Sequence, residues 1–265
     1  MVSRPTKSGP GDPVRAKIGR AEMHLRCLET LIDEFVGTNP YRLALKPVPQ
    51  RELQPGFQLF VESADPVPED IGLVAGDFLT NLRASLDYLA WELVKANGGT
   101  PNPGTSFPLK EQPPRKPKVL SVSGGVSPAA LALIKAAQPY KTPEGGTVHE
   151  DRMWILSRLV GIDKHRHLLI SAAALQARVI VISGSNLTAL AMGEPRVLEA
   201  DTAITMGWTG TRPIVPEEMD MDVDLTVGVI LRKDEPGGGV AICPLFTRLL
   251  ERVRDEIVPS FAGLR

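Results

Sequence analysis

Arg158 and His165 stand with six residues between them in the stretch WILSRLVGIDKHRHLL, residues 154–169. On a helix that spacing is two turns along one face. Among the arginines of the chain, Arg83 or Arg166 could hold an anionic group, with His165 as acid or base. The guanidinium offers a planar fork to an oxyanion, and the imidazole can exchange a proton near neutral pH. The same stretch carries Asp163, Lys164, His165, Arg166 and His167 without interruption, inside an apolar run from Trp154 to Leu175. Such a block is costly in a buried segment unless its charges are compensated. Placed on a helix, Leu159, Asp163, Arg166 and Ile170 form one stripe, so Asp163 and Arg166 read as an inward pair. His165 falls on the line of Trp154, Arg158 and Gly161, while Lys164 and His167 read as solvated.

A second segment, GDFLTNLRASLDYLAWELV, repeats the arrangement. Phe78, Leu79, Leu82, Leu86, Leu89, Ala90 and Leu93 form its buried face, with Arg83 and Asp87 at i,i+4 on the flank. Trp91 lies one turn further on, and Asn81 is close by. Two helices that each carry an Asp/Arg pair beside an apolar stripe are expected to pair crosswise. Arg83, Asp87, Asp163 and Arg166 would then form an ionic clasp between the central helices. If the clasp is functional, the same arginines and His165, with Asn81 and Trp91 at hand, would hold a small anion or nucleotide.

The phrases NLRASLDYLAW and WILSRLVGIDKHRHLL, joined by TSFPL and AQPY, resemble a family of uncharacterised bacterial proteins carrying an LRxxLDxLxW helix followed by an IDKHR helix. The resemblance spans about residues 77–169 and implies fold rather than activity. A more distant similarity is to the HEPN superfamily of helical bundles, many of which are metal-independent ribonucleases working as dimers, with an Arg, four to six residues, then His. That similarity implies RNA as partner and a homodimer as the working form. It would put His165 on the ribose 2′-hydroxyl and Arg158 on the phosphate. This chain departs from the pattern at Leu159, where a polar residue is usual, and at Gly161.

The elements that must position these residues are legible in part. Helical periodicity runs over 13–36, 71–96 and 127–137, and a helix from about residue 148 to 160 either continues to 175 or gives way to another after Gly161. YRLALKPV and GFQLFVES read as a hairpin, and SFPL as a short strand in a Pro-rich loop. Residues 177–183, 201–208 and 225–233 read as strands, and 242–262 as a closing helix. The expected fold is α+β, a helical bundle packed against one antiparallel β-sheet. Residues 1–12 read as a disordered tail. Residues 13–265 read as a single domain, with a helical core (13–175), a strand-rich part (176–240) and the closing helix.

The 265 residues carry 30 Lys+Arg against 31 Asp+Glu. That balance supplies no global field for recruiting nucleic acid or a membrane surface. No long apolar run or secretory leader is evident, so a cytoplasmic protein with no membrane partner is expected. No cofactor or metal signature is present. His24-x-x-Cys27 lacks a second ligand pair, and DMDVD lacks the Gly and Glu of a calcium loop. Three readings follow: a domain with a structural ionic cluster and no assignable catalysis, an anion- or nucleotide-binding module, and a metal-independent ribonuclease using Arg158 and His165.

Overall fold

The computed structural model describes residues 12–48, 56–113, 122–141, 146–166, 168, 170–183, 186–191, 196–197, 203–204 and 219–265. The architecture is α+β. Helix α1 spans Pro13–Gly37. It starts where Asp12 accepts the backbone N–H groups of Val14 and Arg15 and Pro13 occupies the first turn, a standard way of satisfying orphan donors at a helix start. Strands β1 (Tyr41–Val48) and β2 (Gly56–Ala64) pair antiparallel as a hairpin. Helix α2 (Glu69–Ala96) is the central element. Its residues Phe78, Leu82, Leu86, Leu89 and Leu93, at helical spacing, are 0–1% exposed, and it packs along α1.

After the segment 97–113 come α3 (Pro128–Ala136), a 3₁₀ turn at Val148–Glu150, and α4 (Arg152–Asp163). Asp151 caps α4 by accepting the N–H groups of Met153 and Trp154. The chain then forms β3 (Ile170–Ser183), β4 (Asn186–Ala191), β5 (Arg196–Val197), β6 (Ala203–Ile204) and β7 (Met219–Leu231). Helix α5 (Ile242–Glu251) runs through a π-helical turn at Arg252–Ile257 into α6 (Val258–Ser260). Phe246 of α5 stacks on Phe78 of α2 at 4.5 Å between ring centroids, both 0% exposed. Arg265 reaches Asp12, and Arg254 reaches Glu22, fastening the C-terminal end to α1.

Three expectations are corrected. The helix suggested for 148–175 stops at Asp163, and Ile170 opens the strand β3, which pairs with β7 from Ile170↔Leu231 to Ser183↔Met219. Alanine by itself favours helix, and here the pairing with β7 overrides that local preference. The strands do not make one sheet: β1, β2 and β6 form one, while β3 lies between β4 and β7 in another and also pairs with β5. The stretch SFPL, expected as a strand, is instead a segment without regular secondary structure that is hydrogen-bonded to α2 through Phe107. The tail up to residue 11, His167, residues 114–121 after the SFPL segment and most of the strand expected at 201–208 lie outside the described residues.

The two thiols differ in environment. Cys27 is exposed, whereas Cys243 is half-buried, and desolvation together with Glu29 and Asp33 pushes its thiol up to about 12. Alkylation at pH 8 is expected to label Cys27 in the folded protein and Cys243 only on unfolding, since the thiolate is the nucleophile. Equal labelling rates, read by mass spectrometry, would contradict this environment.

Candidate functional site

The arginine–aspartate pair of α2 does something the helical pattern did not suggest. Arg83 Nη2 donates to Asp87 Oδ1 at 2.9 Å and to the Phe107 carbonyl oxygen at 2.6 Å. The Phe107 N–H donates back to Asp87 Oδ1 at 2.9 Å. One turn on, the Trp91 indole N–H donates to the Thr105 carbonyl at 3.0 Å. The stripe Arg83, Asp87, Trp91 therefore supplies hydrogen bonds to a segment with no strand neighbour among the described residues, which its backbone groups require. The Phe107 ring, fully buried, packs edge-on against Phe261. Burial lowers the Arg83 pKa against the opposing pull of Asp87. Burial likewise raises the Asp87 carboxyl, outweighing Arg83, the Phe107 N–H and Lys164.

The crosswise clasp is thus replaced by other pairings. Arg83 takes Asp87 on its own helix, and Arg166 takes Glu235, with Nη1 and Nη2 donating to the two carboxylate oxygens at 2.7 and 3.1 Å. A bidentate carboxylate on a facing turn and a free loop backbone both offer better geometry than a crossed quartet on two helices. Asp163 does reach α2, but against a glycine: a Cβ on Gly76 would stand 2.7 Å from Asp163 Oδ2. Asn81 accepts from Lys17 Nζ at 3.2 Å and so ties α2 to α1. Asn81, Arg83, Asp87 and Trp91 are accordingly brought together with the helix–loop framework, apart from Arg158 and His165.

Those two residues line an open cleft of about 850 Å³ between the outer face of α4 and the turn 234–237. Trp154, Arg158 and Gly161 present that face, His165 follows on the turn after α4, and Arg166 closes the floor through Glu235. The Arg166 side chain is 46% exposed, that of Glu235 0%. The wall is a tight turn, where a Cβ on Gly238 would collide with the Arg232 carbonyl oxygen; a glycine is the residue that fits there. At the other end His149 packs on Trp154 with ring centroids 4.5 Å apart, and the Arg158 guanidinium carbon lies 5.6 Å from the centre of the Trp154 ring. His149 Nε2 is 3.6 Å from Glu111 Oε1. The Glu111 carboxyl is held below the usual range, first by the neighbouring Trp154 indole and then by His149 and Arg158.

The helical spacing placed Arg158, His165 and Trp154 on one face, and they share the cleft. It missed His149, Glu111 and Glu235. His149 lies outside α4, on the preceding 3₁₀ turn, and Glu235 sits in a Pro/Gly-rich turn where an acidic residue ordinarily reads as solvated. Among the described residues no cluster of three or more His, Cys, Asp or Glu is arranged to hold a metal, and no helix is long and apolar enough to cross a membrane. No protein-family model, no curated protein and no solved structure matches the chain.

Proposed function

We propose that this chain is a binding module for a small phosphate-type anion, seated in the cleft on Arg158 and His165, in a soluble, cytoplasmic bacterial protein. The observation that carries the reading is that both side chains are exposed in the same cleft. Arg158 leans on the Trp154 ring rather than closing an ion pair with a described carboxylate. Arg166, by contrast, is already engaged by Glu235. A concave site with a few convergent polar groups is the usual form of a small-ligand pocket, and a guanidinium suits an oxyanion.

The test is calorimetric titration with inorganic phosphate and pyrophosphate. Replacing Arg158 by Ala is expected to weaken pyrophosphate binding roughly tenfold or more, the loss of one charge-assisted contact, with an unchanged melting temperature. Undiminished binding in that variant would end the reading.

A second reading is favoured by the Arg158–His165 spacing together with their shared exposure. It is a metal-independent ribonuclease resembling the HEPN type, working as a homodimer. His165 would take the proton of the 2′-hydroxyl as its oxygen attacks phosphorus, Arg158 would bind the phosphate oxygens as charge develops, and the P–O5′ bond would break to leave a 2′,3′-cyclic phosphate and a 5′-hydroxyl, the leaving oxygen taking a proton from the imidazolium or from water. RNA cleavage by the wild type, lost in a folded His165→Ala protein, would favour this reading over simple binding.

A further inference from the structure

The two ends of the cleft differ in chemistry, and from this we infer that its ligand is a nucleoside phosphate, with the base on His149 and Trp154 and the phosphate on Arg158 and His165. The inference rests on the anion-binding reading above and names the ligand class of that site. Trp154 and His165 are eleven residues apart along α4 and the turn that follows it, roughly 16 Å at helical rise, so the cleft is an elongated trough rather than a cup for one oxyanion. Its far end is aromatic. His149 covers one side of Trp154 at 4.5 Å and is itself 62% exposed, leaving its outer face open to a flat group. Glu111 Oε1 lies 3.6 Å from His149 Nε2.

Arg158 stands one helical turn from Trp154 and bridges the two ends. It touches the indole and lines the same trough as His165. A phosphate held there has its ribose and base within reach of the ring pair. Stacking on an aromatic platform is sequence-tolerant because every base has a π-face, so the prediction is for a base, with no preference among bases. Gly161, on the trough side of α4, has nothing within 4 Å of where a Cβ would stand, which leaves the sugar room to pass over the helix. The acidic groups on the opposite wall do not oppose one phosphate strongly: Glu235 is neutralised by Arg166, and Asp234 lies 3.6 Å from Arg232. They do weigh against a long polyanion, which favours a mononucleotide over an extended strand.

The test titrates the full chain with AMP, UMP, ribose 5-phosphate and adenosine. AMP and UMP are expected to bind roughly tenfold tighter than ribose 5-phosphate, the gain of one stacked base. Adenosine is expected to bind more weakly than either nucleotide. His149→Ala is expected to bring AMP down to within about threefold of ribose 5-phosphate, with an unchanged melting temperature. Equal affinity of AMP and ribose 5-phosphate in the wild type overturns the inference while leaving the anion reading intact. Equal affinity of adenosine and AMP overturns both, as does a protein that binds none of the four. An oligonucleotide that binds more than about tenfold tighter than AMP would overturn the mononucleotide assignment in favour of a strand.

Discussion

Replacing Asp87 by Ala is expected to cost about 2–4 kcal/mol of folding stability, measured by urea denaturation. Breaking a buried ion pair by removing one partner costs about 3–5 kcal/mol, and the lower range reflects an Asp87 side chain that is still 32% exposed. Two groups lose their partner at once. Arg83, 19% exposed, keeps only the Phe107 carbonyl, and its Nη1 already has no hydrogen-bond partner among the described residues. The Phe107 N–H loses its acceptor. Asp87→Asn keeps an acceptor oxygen in the same place and is expected to cost about 1 kcal/mol, the scale of one hydrogen bond. Equal effects of the two variants would show that an acceptor oxygen at this position is not what organises the loop.

The pH dependence of that comparison has a definite sign. Burial holds the Asp87 carboxyl above its ordinary value, so the folded chain binds this proton more tightly than the unfolded one. The stability contributed by the group is complete below the ordinary aspartate value and declines as pH rises through the raised one. Wild type should therefore gain relative to Asp87→Asn as pH falls from neutrality towards the aspartate range. A loss in that direction would mean the ion pair with Arg83 outweighs desolvation.

The second large effect is an asymmetry at the cleft floor. Arg166→Ala is expected to lower the melting temperature by several degrees, while Glu235→Gln lowers it far less. Glu235 is fully enclosed and Arg166 is nearly half exposed. Removing the arginine takes the bidentate guanidinium from an enclosed carboxylate. Removing the acid returns an exposed guanidinium to water, where its solvation replaces the pair. The turn 234–237 is one wall of the cleft, so Arg166→Ala is also expected to lose pyrophosphate binding. In the double variant Arg166→Met, Glu235→Gln most of the lost melting temperature should return, because the enclosed side chain at 235 no longer carries a charge. Equal single-variant effects would place the pair in solvent.

How much of this was legible in the sequence depended on range. The apolar stripe of α2 at Phe78, Leu82, Leu86, Leu89 and Leu93, the Asp12–Pro13 start of α1 and the shared face of Trp154, Arg158 and His165 are all local. Helical periodicity and capping chemistry act within a few residues, so the order of types along the chain is enough to place them. The mixed helix–strand class was equally readable from the change of period between the two halves.

The ionic partners were not. Arg83 and Asp87 were correctly seen as a flanking pair at i,i+4, yet their other contacts lie 20 and 24 residues away, in the backbone of Phe107. Backbone groups leave no mark on side-chain patterning. Arg166 meets Glu235 across 69 residues, and nothing in a Pro/Gly-rich turn distinguishes an enclosed glutamate from a solvated one. Residues 170–175 became strand because β7 supplied hydrogen-bond partners that no local preference encodes. By itself the sequence determined which faces are apolar and which residues share a helix face. Only the tertiary structure decided which charges meet, because a partner's position depends on how distant segments pack and not on the order of residues near it.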